Sequence, residues 1–333
     1  GDRVKVLLFA APRAGFRQEG QVVEVVQRSK QTYVGTLDIT PQHAFLITDN
    51  RRVGKDFYLP KDALNGAQNG DVAVVELVEW TNPKFNPIGR VLKVLGRPGE
   101  HDTEIHAILE EYGLPYAFPP EVEADAASLN TELDASEIAR RRDFRDVLTF
   151  TIDPADAKDF DDALSIRPLE DGLWEVGVHI ADVAHFVHAG SPLDQEAAAR
   201  GNSTYLPRRV LPMLPEALSN GVCSLQEGVA RLTRSAIVNL DTKGRITGTR
   251  LAASVIRSRK RMTYLEAQAV IDGDLDEAAR HAKTEPAWPP ELIEALKQCE
   301  RLAKVLRKRR LDAGMITLSL PESELVFDED GRV

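Results

Sequence analysis

The chain has 333 residues, 43% of them hydrophobic and 28% charged, with a net charge of −10. That length exceeds one compact core and implies two or three domains, while the apolar content implies a folded chain in which no run reaches membrane-spanning length. The acidic balance argues against a protein that coats duplex nucleic acid, which would carry a basic surface; it leaves room for a local basic channel.

In chain order, the first feature is a repeat. Gly1-Asp2 with Val4 and Val6 matches Gly70-Asp71 with Ala73 and Val75, and residues 20–28 match residues 89–97, at a constant offset of 69 from Gly1 to Gly70. The pattern is one small β-domain per copy, of which the first contributes only its last strands. The second copy spans 31–98 and contains five β-rich segments, at 32–37, 44–48, 55–59, 72–78 and 89–94. Five short strands in that length suggest an oligonucleotide-binding barrel. Phe45, Phe57 and Tyr58, with Arg51 and Arg52 nearby, are candidates for stacking on a single strand. Filling the barrel core is the competing role for each aromatic. Next, 101–112 and 120–142 read as helices of a charged linker over 99–143, Ser136 capping the last turns and Arg140 to Arg142 closing them.

Residues 151–163 read Thr-Ile-Asp-Pro-Ala-Asp-Ala-Lys-Asp-Phe-Asp-Asp-Ala, with five carboxylates in ten residues: Asp153, Asp156, Asp159, Asp161 and Asp162. Lys158 is the one cation among them. Carboxylates this close raise one another's pKa and cannot all ionise unaided. A divalent cation would relieve them, and oxygen donors without Cys or His suit magnesium or manganese rather than zinc. Leu148, Phe150 and Ile152 alternate with Thr149, Thr151 and Asp153, which predicts a half-buried strand ending at Asp153. Pro154 stops it. Two further strands are predicted at 163–166 and 173–183, with a turn at 170–172, so the acids lie on a loop between strands. An EF-hand fails, because counting from Asp159 puts Leu164 at the required glycine. A solvated acidic turn is the bland alternative.

His179, Asp182, His185 and His188 do not read as a metal site, because the alternation of Val176, Val178 and Ile180 makes that stretch a buried strand. Arg250, Arg257, Arg259, Lys260 and Arg261, then Arg301, Lys304 and 307–310, are basic clusters that could line a channel. The second lies beside the apolar stripe Leu292, Leu296, Cys299, Ala303 and Leu306, so it is equally the wet face of one helix. Cys223 and Cys299 are far apart in apolar surroundings and read as buried thiols in a reducing compartment.

Four stretches together resemble the ribonuclease II and ribonuclease R family. They are Thr151-Ile-Asp-Pro with Asp159-Phe-Asp161-Asp162-Ala, Val176-Gly-Val-His-Ile-Ala-Asp-Val183, Thr204-Tyr-Leu-Pro207, and Leu211-Pro-Met-Leu-Pro215 with Leu218-Ser-Asn-Gly-Val-Cys-Ser-Leu225. The upstream half is closer to ribonuclease R. The resemblance implies cold-shock-type oligonucleotide-binding barrels followed by an α+β catalytic domain from residue 144. It implies 3′-to-5′ hydrolysis of single-stranded RNA to 5′-nucleoside monophosphates with Mg2+ or Mn2+. Asp153, Asp159, Asp161 and Asp162 would hold the metals, with Asp161 the most critical and Asp156 outside the set. Tyr205 would stack on the last nucleotides. A second clamping aromatic of the family falls at Leu318 here. The resemblance also implies that the chain is a fragment, the family's catalytic domain continuing beyond the hairpin turn at Asp330-Gly331. A cytoplasmic monomer without a membrane partner is expected. The alternatives are an RNA-binding regulator that kept the fold and lost the activity, or an RNA chaperone, which would leave the acids without a role.

Overall fold

The computed structural model describes residues 2–9, 18–27, 31–48, 54–82, 84–206 and 209–321. The chain forms two units, Gly1–Tyr116 and Ala117–Ser323. No helix of the described residues is long and apolar enough to cross a membrane. Arg51, Arg52 and the turn at Asp330-Gly331 lie outside the described residues.

The repeat is visible in strand register. Strand β1 (Arg3–Leu8) pairs antiparallel with β2 (Gly20–Gln27), with Val6 opposite Val22 and Leu8 opposite Gly20. Strands β3 (Thr32–Ile39), β4 (Ala44–Ile47), β5 (Phe57–Tyr58), β6 (Val72–Glu79) and β7 (Ile88–Gly96) close a barrel in the order β3-β4-β5-β7-β6. In it, β6 and β7 repeat the first ribbon's register: Val75 faces Val91 and Leu77 faces Gly89, and the irregularities between Val72/Ala73 and Val74/Val75 match those between Arg3/Val4 and Lys5/Val6. The same residue spacing has produced the same bulged pair twice.

Tyr33, Leu37, Leu46, Phe57, Leu59, Val75 and Val91 fill the barrel. This corrects one expectation. Phe57 is 0% exposed and packs on Tyr33 with ring centroids 4.6 Å apart, so it is a core side chain with no face for a base. Its neighbour Tyr58 points the other way and is 40% exposed. Helix α1 (His101–Tyr112) buries Ile105 and Leu109 and ends at Gly113, whose φ of 64° is the left-handed cap glycine favours.

In the second unit, the helical stretch expected over 120–142 forms two helices. Helix α2 (Pro120–Ser128) ends, and α3 (Ala135–Ala139) starts afresh at Asp134, whose side chain accepts the Ser136 backbone N–H at 2.9 Å. Asp134 is therefore the cap, and Ser136 donates its hydroxyl to it. Arg141 turns inward to Asp182 at 2.6 Å instead of closing a helix.

Strands β8 (Arg142–Phe144), β9 (Phe150–Asp153), β10 (Asp162–Pro168) and β11 (Trp174–Ala181) follow. Then come helices α4 (Val183–Phe186) and α5 (Pro192–Arg200) and the hairpin β12 (Thr204–Leu206) and β13 (Arg209–Leu211). Strands β14 (Ala230–Leu240), β15 (Ile246–Arg257) and β16 (Lys260–Thr263) precede helices α6 (Tyr264–Asp272), α7 (Leu275–His281) and α8 (Pro290–Asp312). Seven strands form one sheet in the order β16-β9-β10-β11-β14-β15-β8, with β16 parallel to β9 and β8 parallel to β15. Two apolar clusters pack against it. One gathers Phe144, Phe160, Ala163, Leu193 and Leu232; the other gathers Phe150, Ile166, Met262, Leu292 and Leu296. Residues 315–321, around Leu318, are exposed and carry no regular structure.

His179 is wholly buried in β11, where its ring nitrogens hydrogen-bond Ser165 at 3.0 Å and Ser235 at 2.6 Å. Gly177 makes this possible, since a Cβ there would lie 2.4 Å from the Ser165 hydroxyl and 2.6 Å from the His179 ring. Burial pushes the imidazole down to about 4 from 6.5. Above the ordinary value the ring is neutral in both the folded and unfolded chain. Below it, the unfolded chain takes up a proton that the folded one refuses. Stability should therefore fall from neutral pH by about 2 kcal/mol near pH 5. Urea midpoints of the wild type and His179→Gln across that range check this, because the variant should lack that share of the slope.

Candidate active site

The acids sit where two antiparallel strands of the sheet are joined. Asp153 is the last residue of β9, Asp162 the first of β10, and 154–161 is the connection. Asp153 is buried, Asp159 half-buried, and Asp156, Asp161 and Asp162 are exposed. The connection is pinned at several points. The Phe160 N–H donates to Ser224 Oγ at 3.2 Å, and that hydroxyl donates to the Lys158 carbonyl at 2.7 Å. The Leu225 and Ala181 N–H groups donate to the carbonyls of Phe160 and Asp161. Ser224 and Leu225, with Ala181, thus cradle the second half of the acidic loop.

Tyr205 stands on the short hairpin of β12 and β13, 66% exposed, and its hydroxyl donates to Asp159 Oδ2 at 3.0 Å. The structure so joins an open aromatic face to one of the acids. Burial and the Asp159 carboxylate push the phenol up.

Burial pushes the Asp153 carboxyl up, the Asp162 and Asp159 carboxylates add to this, and Arg261 opposes it. Asp161 keeps solvent contact, yet the packing beneath it, then Asp159 and Asp162, push its carboxyl up too. Both carboxyls hold their protons more tightly folded than unfolded, so without a cation the fold loses stability as pH rises through the carboxylate range. Among the described residues, no group of three or more His, Cys, Asp or Glu side chains is arranged to hold a metal ion as it stands. The donor set nevertheless fits a hard divalent cation in kind. Asp153 Oδ2 is buried with no hydrogen-bond partner, and the Asp159 and Asp162 carboxylates act on it.

Of the basic cluster near residue 260, Lys260 is buried, its ammonium donating to Thr284 Oγ1 at 2.7 Å and to the Glu285 carbonyl. It lines no channel. Arg250 pairs with Glu175 at 2.7 Å. Arg261 turns onto the acidic loop. In the barrel, exposed Tyr58 meets the Phe45 ring edge-on at 5.7 Å, and His43 lies 5.5 Å from Phe45, making a patch of three rings. Cys223 is buried and Cys299 half-buried, both free, with thiols pushed up by burial to about 12 and about 11. The sequence reading missed the Arg141–Asp182 pair and the Ser224 bridge. Neither has a local signature, since each joins residues far apart in the chain.

Comparison with known proteins adds the following. The RNB domain profile matches residues 141–333 and a cold shock domain profile matches 45–119. A ribonuclease R of Thermotoga maritima is 36% identical over 335 residues, covering 100% of this chain and 46% of the relative. A ribonuclease R of Escherichia coli is 34% identical over 333 residues, covering 100% and 40%. The chain thus spans less than half the length of these curated relatives. Among solved structures, Mycoplasma genitalium RNase R in complex with ribose-methylated single-stranded RNA superposes with a TM-score of 0.85 at 28% identity, over 99% of this chain and 51% of that one. Yeast Ssd1, a pseudonuclease, shares the fold with a TM-score of 0.65 at 22% identity, over 93% and 38%.

Proposed function

The chain belongs to the RNB-domain family, and from this we propose that it carries the metal site and RNA-holding barrel of a 3′-to-5′ exoribonuclease that releases 5′-nucleoside monophosphates from single-stranded RNA. The observation that carries the reading is the contact between Tyr205 and Asp159, which sets an exposed aromatic ring against the acidic loop. Asp153, Asp159, Asp161 and Asp162 would hold the cations, Mg2+ or Mn2+. Two such ions, when bound, supply charge neutralisation at the phosphate, an activated water and a stabilised leaving oxygen. Asp161, on the solvent side of the loop, is the group to ligate or to orient the attacking water. Asp156 is exposed and has no part in this set. Tyr205 stacks on the terminal nucleotides, and Tyr58 and Phe45 are the barrel's rings for single-stranded RNA. Two free cysteines suit a reducing cytoplasm, where the protein would act as a monomer.

End-labelled single-stranded RNA incubated with Mg2+ tests this directly. A ladder of single-nucleotide steps from the 3′ end is expected. RNA bound without any cleavage would favour the alternative of a regulator that kept the fold.

Tyr205 has two separable parts. Tyr205→Ala removes the ring, a stacking contact of about 1–3 kcal/mol per base; it should release RNA earlier and leave longer end products while hydrolysis continues. Tyr205→Phe keeps the ring and removes the donor to Asp159, so end-product length should stay as in the wild type. Gel analysis of the final products distinguishes the two.

A further inference from the structure

We propose that Arg261 is the positioning residue of the acidic loop, holding the main chain of Pro154, Ala155 and Ala157 and so setting the spacing between Asp153 and the acids Asp159, Asp161 and Asp162. The proposal rests on the reading of that loop as a cation site.

The five carboxylates from Asp153 to Asp162 repel one another, with Lys158 the one cation among them, and such a loop splays unless its main chain is anchored. Its second half is anchored by Ser224, Leu225 and Ala181, as described. In the first half, the internal bond from the Ala157 N–H to the Pro154 carbonyl is a single turn. Among the described residues, the side chain that hydrogen-bonds the main chain of this half is Arg261. Its Nη2 faces the carbonyls of Ala155 at 3.0 Å, Ala157 at 3.3 Å and Pro154 at 3.5 Å. Its guanidinium also lies 5.0 Å from the Phe160 ring centroid, so one cation touches both halves of the loop.

The anchor is itself rigid. Arg261 lies in β16, paired in parallel with β9 so that Arg261 aligns with Thr151 and Thr263 with Asp153. Its N–H donates to Glu227 Oε2 at 2.8 Å, and the same oxygen accepts the Thr284 hydroxyl at 2.7 Å. Its Nε is buried with no partner. A donor left unpaired in this way costs free energy, which the carbonyl and ring contacts must offset. A lysine would keep the charge, but its single ammonium cannot both span the carbonyls and lie flat on the ring.

The test uses the whole chain and two readouts besides cleavage. The first is amide hydrogen exchange over 155–162 without metal. The second is Mn2+ affinity followed by electron paramagnetic resonance. Arg261→Met keeps the apolar stem and loses the donors. It should speed exchange in the loop, leave α6 and the barrel unchanged, and weaken Mn2+ binding about 10- to 100-fold, the usual effect of losing a group that orients metal ligands. Arg261→Lys should fall between. In Arg261→Ala, millimolar guanidinium should recover Mn2+ affinity where equal urea does not. Wild-type exchange and wild-type Mn2+ affinity in folded Arg261→Met would overturn the proposal. If Arg261→Met does not fold, the same two measurements on Arg261→Lys decide. A wild type that binds no Mn2+ would instead sink the cation-site reading, and loop exchange would still judge Arg261.

Discussion

Asp161→Asn should reduce RNA hydrolysis by about a hundred- to a thousandfold, the scale of removing one preorganised group that acts on developing charge. The substitution preserves the shape of the side chain. It does not disturb the loop's anchoring, because Asp161 is tied through its carbonyl, which accepts the Ala181 N–H, and not through its carboxylate. It removes a carboxyl that burial and two neighbouring carboxylates already hold above the ordinary range. RNA affinity should therefore change little and thermal stability should not fall. Filter binding and single-turnover cleavage of the same labelled RNA, on the same preparation, separate the effects. Near-wild-type cleavage would remove Asp161 from the active site. Asp156→Asn is the matched control: it alters an exposed acid two residues past Pro154 and should leave the rate close to that of the wild type.

The neighbours Phe57 and Tyr58 should give opposite results. Phe57→Ala empties the centre of a small barrel whose core also holds Tyr33, Leu46 and Leu59. Deleting a buried phenylalanine costs about 3–5 kcal/mol, a large part of the stability of a small domain. The barrel should lose its cooperative unfolding transition near room temperature or unfold outright, with RNA affinity falling as a consequence. Tyr58→Ala removes an exposed ring that touches Phe45 at its edge. Its stability should change by less than about 1 kcal/mol, while RNA affinity falls by about 1–3 kcal/mol for the lost stacking contact. Calorimetry and RNA titration on both variants test the pair. Equal loss of stability in the two would mean that the outward face of β5 is structural.

Much of this organisation was legible in the residues. The spacing of the acids after an alternating strand and a proline placed them on a connection between strands, because side-chain period and the missing proline N–H are local properties. The repeat at a fixed offset pointed to matching last strands in the two copies, and the two ribbons share register down to their bulges. What the chain alone left open were choices between equivalents. Alternation shows that Phe57 and Tyr58 face opposite ways, but only closure of the barrel decides which faces inward. Charge marks 250–261 as basic, but only the pairing of β16 with β9 turns Arg261 onto carbonyls more than 100 residues earlier and buries Lys260. Helical composition runs through 120–142, but the Arg141–Asp182 ion pair and the Asp134 cap divide it. The contact of Tyr205 with Asp159, 46 residues apart, is of the same kind. Local pattern determines the period and the polarity of each segment. Which side chains meet is decided by long-range pairing, whose energy exists only once the sheet has closed around them.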